Sequence, residues 1–234
     1  MRVALISDSH GNAVGLRAAL DEIERRGADL LVALGDMAQG GPQPAECLEL
    51  LRSAGARVVL GNSDAFLLDP DAGAEVTTER QLTQREWSLS QLTPEDLEYL
   101  RAFEATVEID LDGLRLLCFH ASPADYDTVV LPEDLPDAFA GTGADLLAGG
   151  HVHVPQLRRV GTAWYVNPGS VGLGYDHLQP DDDFRFDGWA SYAIVEAASV
   201  EFHRVPFDLE ELAAATRASG LPLAEEVSSR YRRS

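Results

Sequence analysis

Five apolar segments of this chain each run directly into residues that bind divalent metals, and this recurrence constrains the fold more than any other feature. Arg2 to Ile6 leads to Asp8 and His10, Asp29 to Leu34 leads to Asp36, and Arg57 to Leu60 leads to Asn62. Leu114 to Phe119 leads to His120, and Leu146 to Ala148 leads through two glycines to His151 and His153. A lone Asp after a strand is more often a helix cap, but capping predicts neither the histidines nor their order. In an open α/β sheet the carboxyl ends of neighbouring strands share one rim, where ligands bind. These side chains can therefore meet in space, and Gly11, Gly35, Gly61 and Gly150 beside them let the backbone turn sharply.

Periodicity supplies the scaffold. Between the first apolar segments lie a helical pattern over Ala13 to Arg26 and another over Pro44 to Ala54, which makes a βαβαβ opening. Residues 65–105 read as mainly helical, with Thr93 as N-cap, Pro94 at the first helical position and acids in the first turn. The second half reads as strands. Thr106 to Leu111 and Leu114 to Phe119 flank the turn Asp112-Gly113, and further strands are expected at Gln156 to Val160, Ala163 to Val166, Ala190 to Val195 and Val200 to Val205. Helices are expected over Asp208 to Ala218, ended by Gly220, and over Leu223 to Tyr231.

The formal net charge is −21, and all 18 basic residues are arginine. Without lysine there is no Schiff base, no P-loop lysine and no lysine general base. So acidic a surface repels nucleic-acid backbones and anionic membranes, which makes a long nucleic acid an unfavourable partner. No apolar run approaches the length of a membrane helix, and the short run before Ser7 lacks the features of a signal peptide. The sequence reads as a cytoplasmic protein with its own N-terminus, and it leaves a homo-oligomer open. Cys47 and Cys118 read as buried thiols, not as a disulfide framework.

Asp8, His10, Asp36, Asn62, His120, His151 and His153 offer more ligands than one tetrahedral ion can use, and they suit two divalent ions that share a carboxylate. The N/O donor set points to Mn, Fe, Zn, Co or Ni, with Mn favoured. Taken in order, Asp8-Ser9-His10-Gly11-Asn12, Gly35-Asp36, Gly61-Asn62-Ser63-Asp64, His120-Ala121-Ser122-Pro123, Gly150-His151-Val152-His153 and Asn167-Pro168-Gly169-Ser170 resemble the calcineurin-like metallophosphoesterase superfamily across almost the whole chain. The resemblance is strongest to the small bacterial and archaeal branch that includes phosphodiesterases and some diadenosine-tetraphosphate hydrolases.

The resemblance implies one domain over residues 1–234, an α/β four-layer sandwich of two mixed β-sheets flanked by helices. It places Asp8, His10, Asp36 and His153 on one ion and Asp36, Asn62, His120 and His151 on the other. It also implies hydrolysis of a small phosphodiester, nucleotide or phosphoanhydride by a metal-bridging hydroxide. Asp36, Asn62, His120, Ser63 and Asp64 then count as catalytic, with Asp64 expected to orient Asn62 or a histidine. Ser63 stands where many members of the superfamily carry a histidine that assists the leaving group, which predicts weak protonation of that group. Alternatives are a protein-interaction scaffold on the same fold and, further off, a nuclease. The segment 75–105 contributes no ligand and is expected either to cap the site entrance or to form a helical layer over one sheet. Asn12 reads as a helix cap or a phosphate contact, Asn167-Pro168-Gly169 as a turn or a wall of the site, and Arg158 and Arg159 as solvated charges or a second phosphate site. His177, in the polar loop after Gly174-Tyr175-Asp176, reads as a loop residue or a substrate contact, and His203 reads as structural.

Overall fold

The computed structural model describes residues 1–72, 77–130, 138–175, 179 and 185–231. His177 and the start of the segment 75–105 lie outside them. Two mixed five-stranded sheets, flanked by helices, form the body of the protein. In the first, β1 (Val3–Ile6) lies parallel to β2 (Leu30–Ala33), and β2 lies parallel to β3 (Arg57–Val58). The antiparallel strands β9 (Trp189–Glu196) and β10 (Ser199–Pro206) extend it on the other side of β1. In the second sheet the hairpin β4 (Val107–Leu111) and β5 (Leu114–Cys118) continues into parallel β6 (Leu146–Ala148) and β8 (Ala163–Asn167), with β7 (Gln156–Val160) antiparallel at the edge.

Alternation along the strands builds the layers. Successive side chains of a strand point to opposite faces, so Val3 and Leu5 of β1 meet Leu116, Cys118 and Ala148 between the sheets, while Ala4 and Ile6 face the helices. Both faces of β1 are buried, which is why it reads as an unbroken apolar run. The helical face is covered by α1 (Ala13–Arg26), α2 (Pro44–Ser53) and α6 (Leu209–Ser219), whose Leu16, Leu48 and Leu212 are fully buried. Across the second sheet, Leu117 and Leu147 pack against Phe119, Phe139 and Tyr165.

The expected long helical stretch is divided into α3 (Asn62–Leu68), α4 (Glu79–Ser90) and α5 (Pro94–Arg101). Thr93 caps α5 as the sequence indicates, in a reciprocal capping box with Asp96, and Thr78 does the same for α4 with Gln81. Leu97 and Leu100 of α5 pack into the helical-face core, whereas Gln84 of α4 donates to the Gly40 carbonyl at 2.8 Å, beside His10. The third strand is shorter than expected, because Leu60 leaves the sheet and bonds the Glu104 carbonyl instead of a neighbouring strand. The final helix, α7 (Ala224–Ser229), is also shorter than Leu223 to Tyr231. No helix among the described residues is long and apolar enough to cross a membrane.

Candidate metal centre

The parallel strands β1, β2 and β3 of one sheet and β5 and β6 of the other deliver their carboxyl ends to a common rim. Two groups of potential ligands result, each drawing on both sheets. Asp8 and His10 after β1 meet His153 after β6, and Asp36 after β2 meets His120 after β5 and His151 after β6. Asp36 faces both groups. Its Oδ2 is 3.6 Å from His10 Nε2, and its Oδ1 is 3.5 Å from His120 Nε2. Asn62 joins the second group, with Oδ1 3.0 Å from His120 Nε2.

Backbone carbonyls orient three of the histidines. Nδ1 lies 2.9 Å from the Gln39 carbonyl in His10, 2.6 Å from the Leu34 carbonyl in His120 and 2.8 Å from the Leu173 carbonyl in His153. A ring nitrogen facing a carbonyl carries the proton, so in the neutral imidazole each Nε2 presents a lone pair to the centre. His10 Nε2 and His153 Nε2 approach to 3.1 Å, closing on one point. Two buried atoms at the rim, Asp8 Oδ1 and His151 Nε2, have no hydrogen-bond partner. Buried polar atoms are nearly always paired, and two acceptor-type atoms left open among imidazole lone pairs fit divalent cations.

Charge agrees with this fit. Asp8 and Asp36 are buried, which alone favours their neutral forms. The neighbouring histidines outweigh burial and hold both carboxyls below the usual range. Burial lowers the His120 pKa, but Asp36 and Asp8 override it and raise the group to about 9. The pocket thus gathers two ionised carboxylates where burial is nearly complete, charges that protonated histidines offset here and that divalent cations would offset in their place.

The turns that carry the ligands are strained. Asp8, His10, Asp36, His151 and His153 all have positive φ, between 46° and 70°, a region that residues other than glycine seldom adopt. Gly61 is required for a different reason. A Cβ there would overlap the Asp36 carboxylate and backbone, so only glycine lets the chain enter α3 this close to Asp36.

The remaining expected site residues divide. Asp64 does not orient Asn62 or a histidine: its carboxylate accepts the N–H groups of Met37 and Ala38 at 3.0–3.1 Å and so fixes the loop that follows Asp36. Burial and the Asp36 charge raise its pKa to about 7. Ser63 is bound to Asp36, with its hydroxyl donating to Oδ2 and its N–H to Oδ1, each at 2.8 Å. Asn12 is the buried N-cap of α1, accepting from Gly15 N and donating to the Gly172 carbonyl. Arg158 and Arg159 lie on the exposed edge strand β7, where Arg159 stacks over Trp164. His203 lies on β10, separated from β1 by β9, and stacks on Tyr192 of β9.

Two supports are not evident from residue type. Buried Asn167 donates to the Gly150 carbonyl at 2.6 Å and accepts from Gly169 N, holding the turn that carries His151 and His153. Ser170 Oγ donates to the Asp8 carbonyl at 2.7 Å. Both belong to the motif Asn167-Pro168-Gly169-Ser170, whose turn signal is visible but whose contacts are not.

A phosphoesterase fold with this rim defines the class, and residues 1–197 match the calcineurin-like phosphoesterase superfamily domain. The chain belongs to that superfamily and is a hydrolase of phosphate esters. A solved metallophosphoesterase from Sphaerobacter thermophilus is 29% identical, with 99% of this chain and 98% of that one superposed at a TM-score of 0.78. The uncharacterized protein MJ0912 of Methanocaldococcus jannaschii is 27% identical over 228 residues, 89% of each chain. Phosphodiesterase YfcE of Escherichia coli is 25% identical over 183 residues, 74% of this chain and 80% of the relative.

Proposed function

We propose that this protein hydrolyses a small phosphodiester, nucleotide or phosphoanhydride at a pair of divalent ions, with manganese favoured. Asp8, His10, Asp36 and His153 would hold one ion, and Asp36, Asn62, His120 and His151 the other. The observation that carries this reading is the placement of Asp36, whose two oxygens face histidines of different groups at 3.5 and 3.6 Å. Such a pair of ions activates water near neutral pH and stabilises the attacking and leaving oxygens of an in-line displacement.

The protein's own part is orientation. The Leu34, Gln39 and Leu173 carbonyls hold the Nδ1 atoms of His120, His10 and His153 and aim their Nε2 atoms inward. Ser63 fixes both oxygens of Asp36, and Asp64 fixes the loop behind it. The amino-terminal half of α4, reaching the Gly40 loop through Gln84, is proposed as one wall of the entrance.

Metal analysis of protein loaded with Mn should find close to two ions per chain, and a chelator should abolish hydrolysis of an aryl phosphodiester. Asp36→Asn should lose more metal than any other single change, while His10→Ala weakens mainly one ion and Asn62→Ala mainly the other. Absence of bound metal together with chelator-insensitive turnover would sink the two-metal reading.

A further inference from the structure

Asn62 and Ser63 also line a second cavity, of about 120 Å³, between the Gln39 loop, α3 and the start of α4. The cavity is therefore continuous with the wall of the candidate metal centre. Its other relevant lining residues are Gln39, Phe66, Gln81 and Asp127. Gln39 is 8% exposed, and its Oε1 is buried without a hydrogen-bond partner. A buried amide acceptor left open costs about 1–3 kcal/mol unless a ligand or water satisfies it.

Gln81 stands at the mouth in a fixed orientation. Its Oε1 accepts both the N–H and the hydroxyl of Thr78 at 2.8 Å. The capping box thereby occupies the acceptor and leaves the two donors of the amide nitrogen outside it. Phe66 supplies an apolar surface. None of these groups carries positive charge, and Asp127 adds a carboxylate. A second phosphate group would meet this carboxylate within a chain of net charge −21, with no cation among these residues to offset it. An uncharged group bearing both hydrogen-bond donors and acceptors matches the wall.

We infer that this cavity is the specificity pocket for the organic substituent on the scissile phosphate, and that it selects an uncharged, hydrogen-bonding group such as a sugar or nucleoside. The inference rests on the proposed phosphoesterase reading and narrows it: phosphodiesters of neutral alcohols are favoured over monoesters and over chains of phosphates. Gln39 and Gln81 are the specificity-determining residues, acting on the substituent and not on the reacting atoms.

The test compares two diesters with the same p-nitrophenolate leaving group, the p-nitrophenyl ester of thymidine 5′-phosphate and phenyl p-nitrophenyl phosphate. Native metal-loaded protein should give the thymidine ester the higher kcat/KM. Gln39→Leu and Gln81→Leu should each lower the ratio of the two values by about 2- to 10-fold, the worth of one neutral hydrogen bond. A ratio is indifferent to the fraction of variant that folds. A native ratio of one or less, or a ratio unmoved by both substitutions, overturns the inference. If neither diester is turned over with metal, the phosphoesterase reading fails, and a thymidine titration followed by NMR decides the pocket alone. Binding that is lost in Gln39→Leu upholds the pocket, and no binding to native protein refutes it.

Discussion

Ser63 holds Asp36 by two hydrogen bonds of 2.8 Å, one from its hydroxyl to Oδ2 and one from its N–H to Oδ1. The hydroxyl is committed to a carboxylate that faces both groups of candidate ligands, so it is not free to protonate a leaving group. Ser63 acts through the orientation of Asp36.

Ser63→Ala removes one of these bonds and keeps the other. Loss of a residue that orients a metal ligand typically costs 10- to 100-fold in metal affinity or activity, and an effect of about that size is expected here, with little change in unfolding midpoint. Competition of Mn-loaded protein against a chelator measures it directly. Metal retention equal to native would show that the backbone N–H of residue 63 is sufficient.

Asn167→Ala should cost both stability and metal. It leaves the Gly169 N–H unpaired in a fully buried site and removes one of the two bonds to the Gly150 carbonyl, which still accepts from the Val152 N–H, a loss of about 1–3 kcal/mol. His151 and His153 follow Gly150 and serve different groups, so occupancy of both ions should fall together. Urea unfolding and metal analysis on the same samples check the two effects. Destabilisation with native metal content would confine Asn167 to holding the fold.

Asp96 predicts a pH dependence remote from the candidate centre. Burial raises its pKa, but the bonds from Thr93 and Arg52 outweigh burial and hold it below the usual carboxylate value. A group whose folded pKa is depressed contributes in full above its unfolded pKa, about 3.9, and loses that contribution as pH falls through the folded value. Asp96→Ala should therefore destabilise the protein by about 1 kcal/mol at pH 7, and the gap from native should close below about pH 4. Urea midpoints of both proteins across that range decide it; a gap that stays constant with pH would assign the effect to packing of α5.

The sequence reveals the strands and the ligands for the same reason. An apolar run buried on both faces, as β1 is, cannot be mistaken for a surface segment, and Asp8, Asp36 or His120 at its end interrupts it with a residue that has no place in a core. α1 is read to its boundaries because Asn12 and Gly27 stand at its ends. What stays hidden is contact between distant parts of the chain. Nothing local reveals that Asp64 bonds Met37 and not its neighbour Asn62, since Met37 lies 27 residues away in the chain. Gln39 is equally silent, because its importance lies in an unpaired atom. Within the segment read as mainly helical, the start of α5 is marked by Thr93, whereas the start of α4 depends on Thr78 and Gln81 closing a capping box, a signal present in the sequence but easily overlooked.

The left-handed backbone at Asp8, His10, Asp36, His151 and His153 has a consequence for how this protein evolves. Strain of this kind costs about 1–3 kcal/mol per residue, against a net stability of roughly 5–15 kcal/mol for a typical protein. Glycine would be more comfortable at every one of these turns, and asparagine at several. Only chemistry keeps carboxylates and imidazoles there. In a lineage released from catalysis, drift toward glycine and asparagine would therefore be rewarded with a firmer fold, and these five positions would be the first to record that the activity had been abandoned.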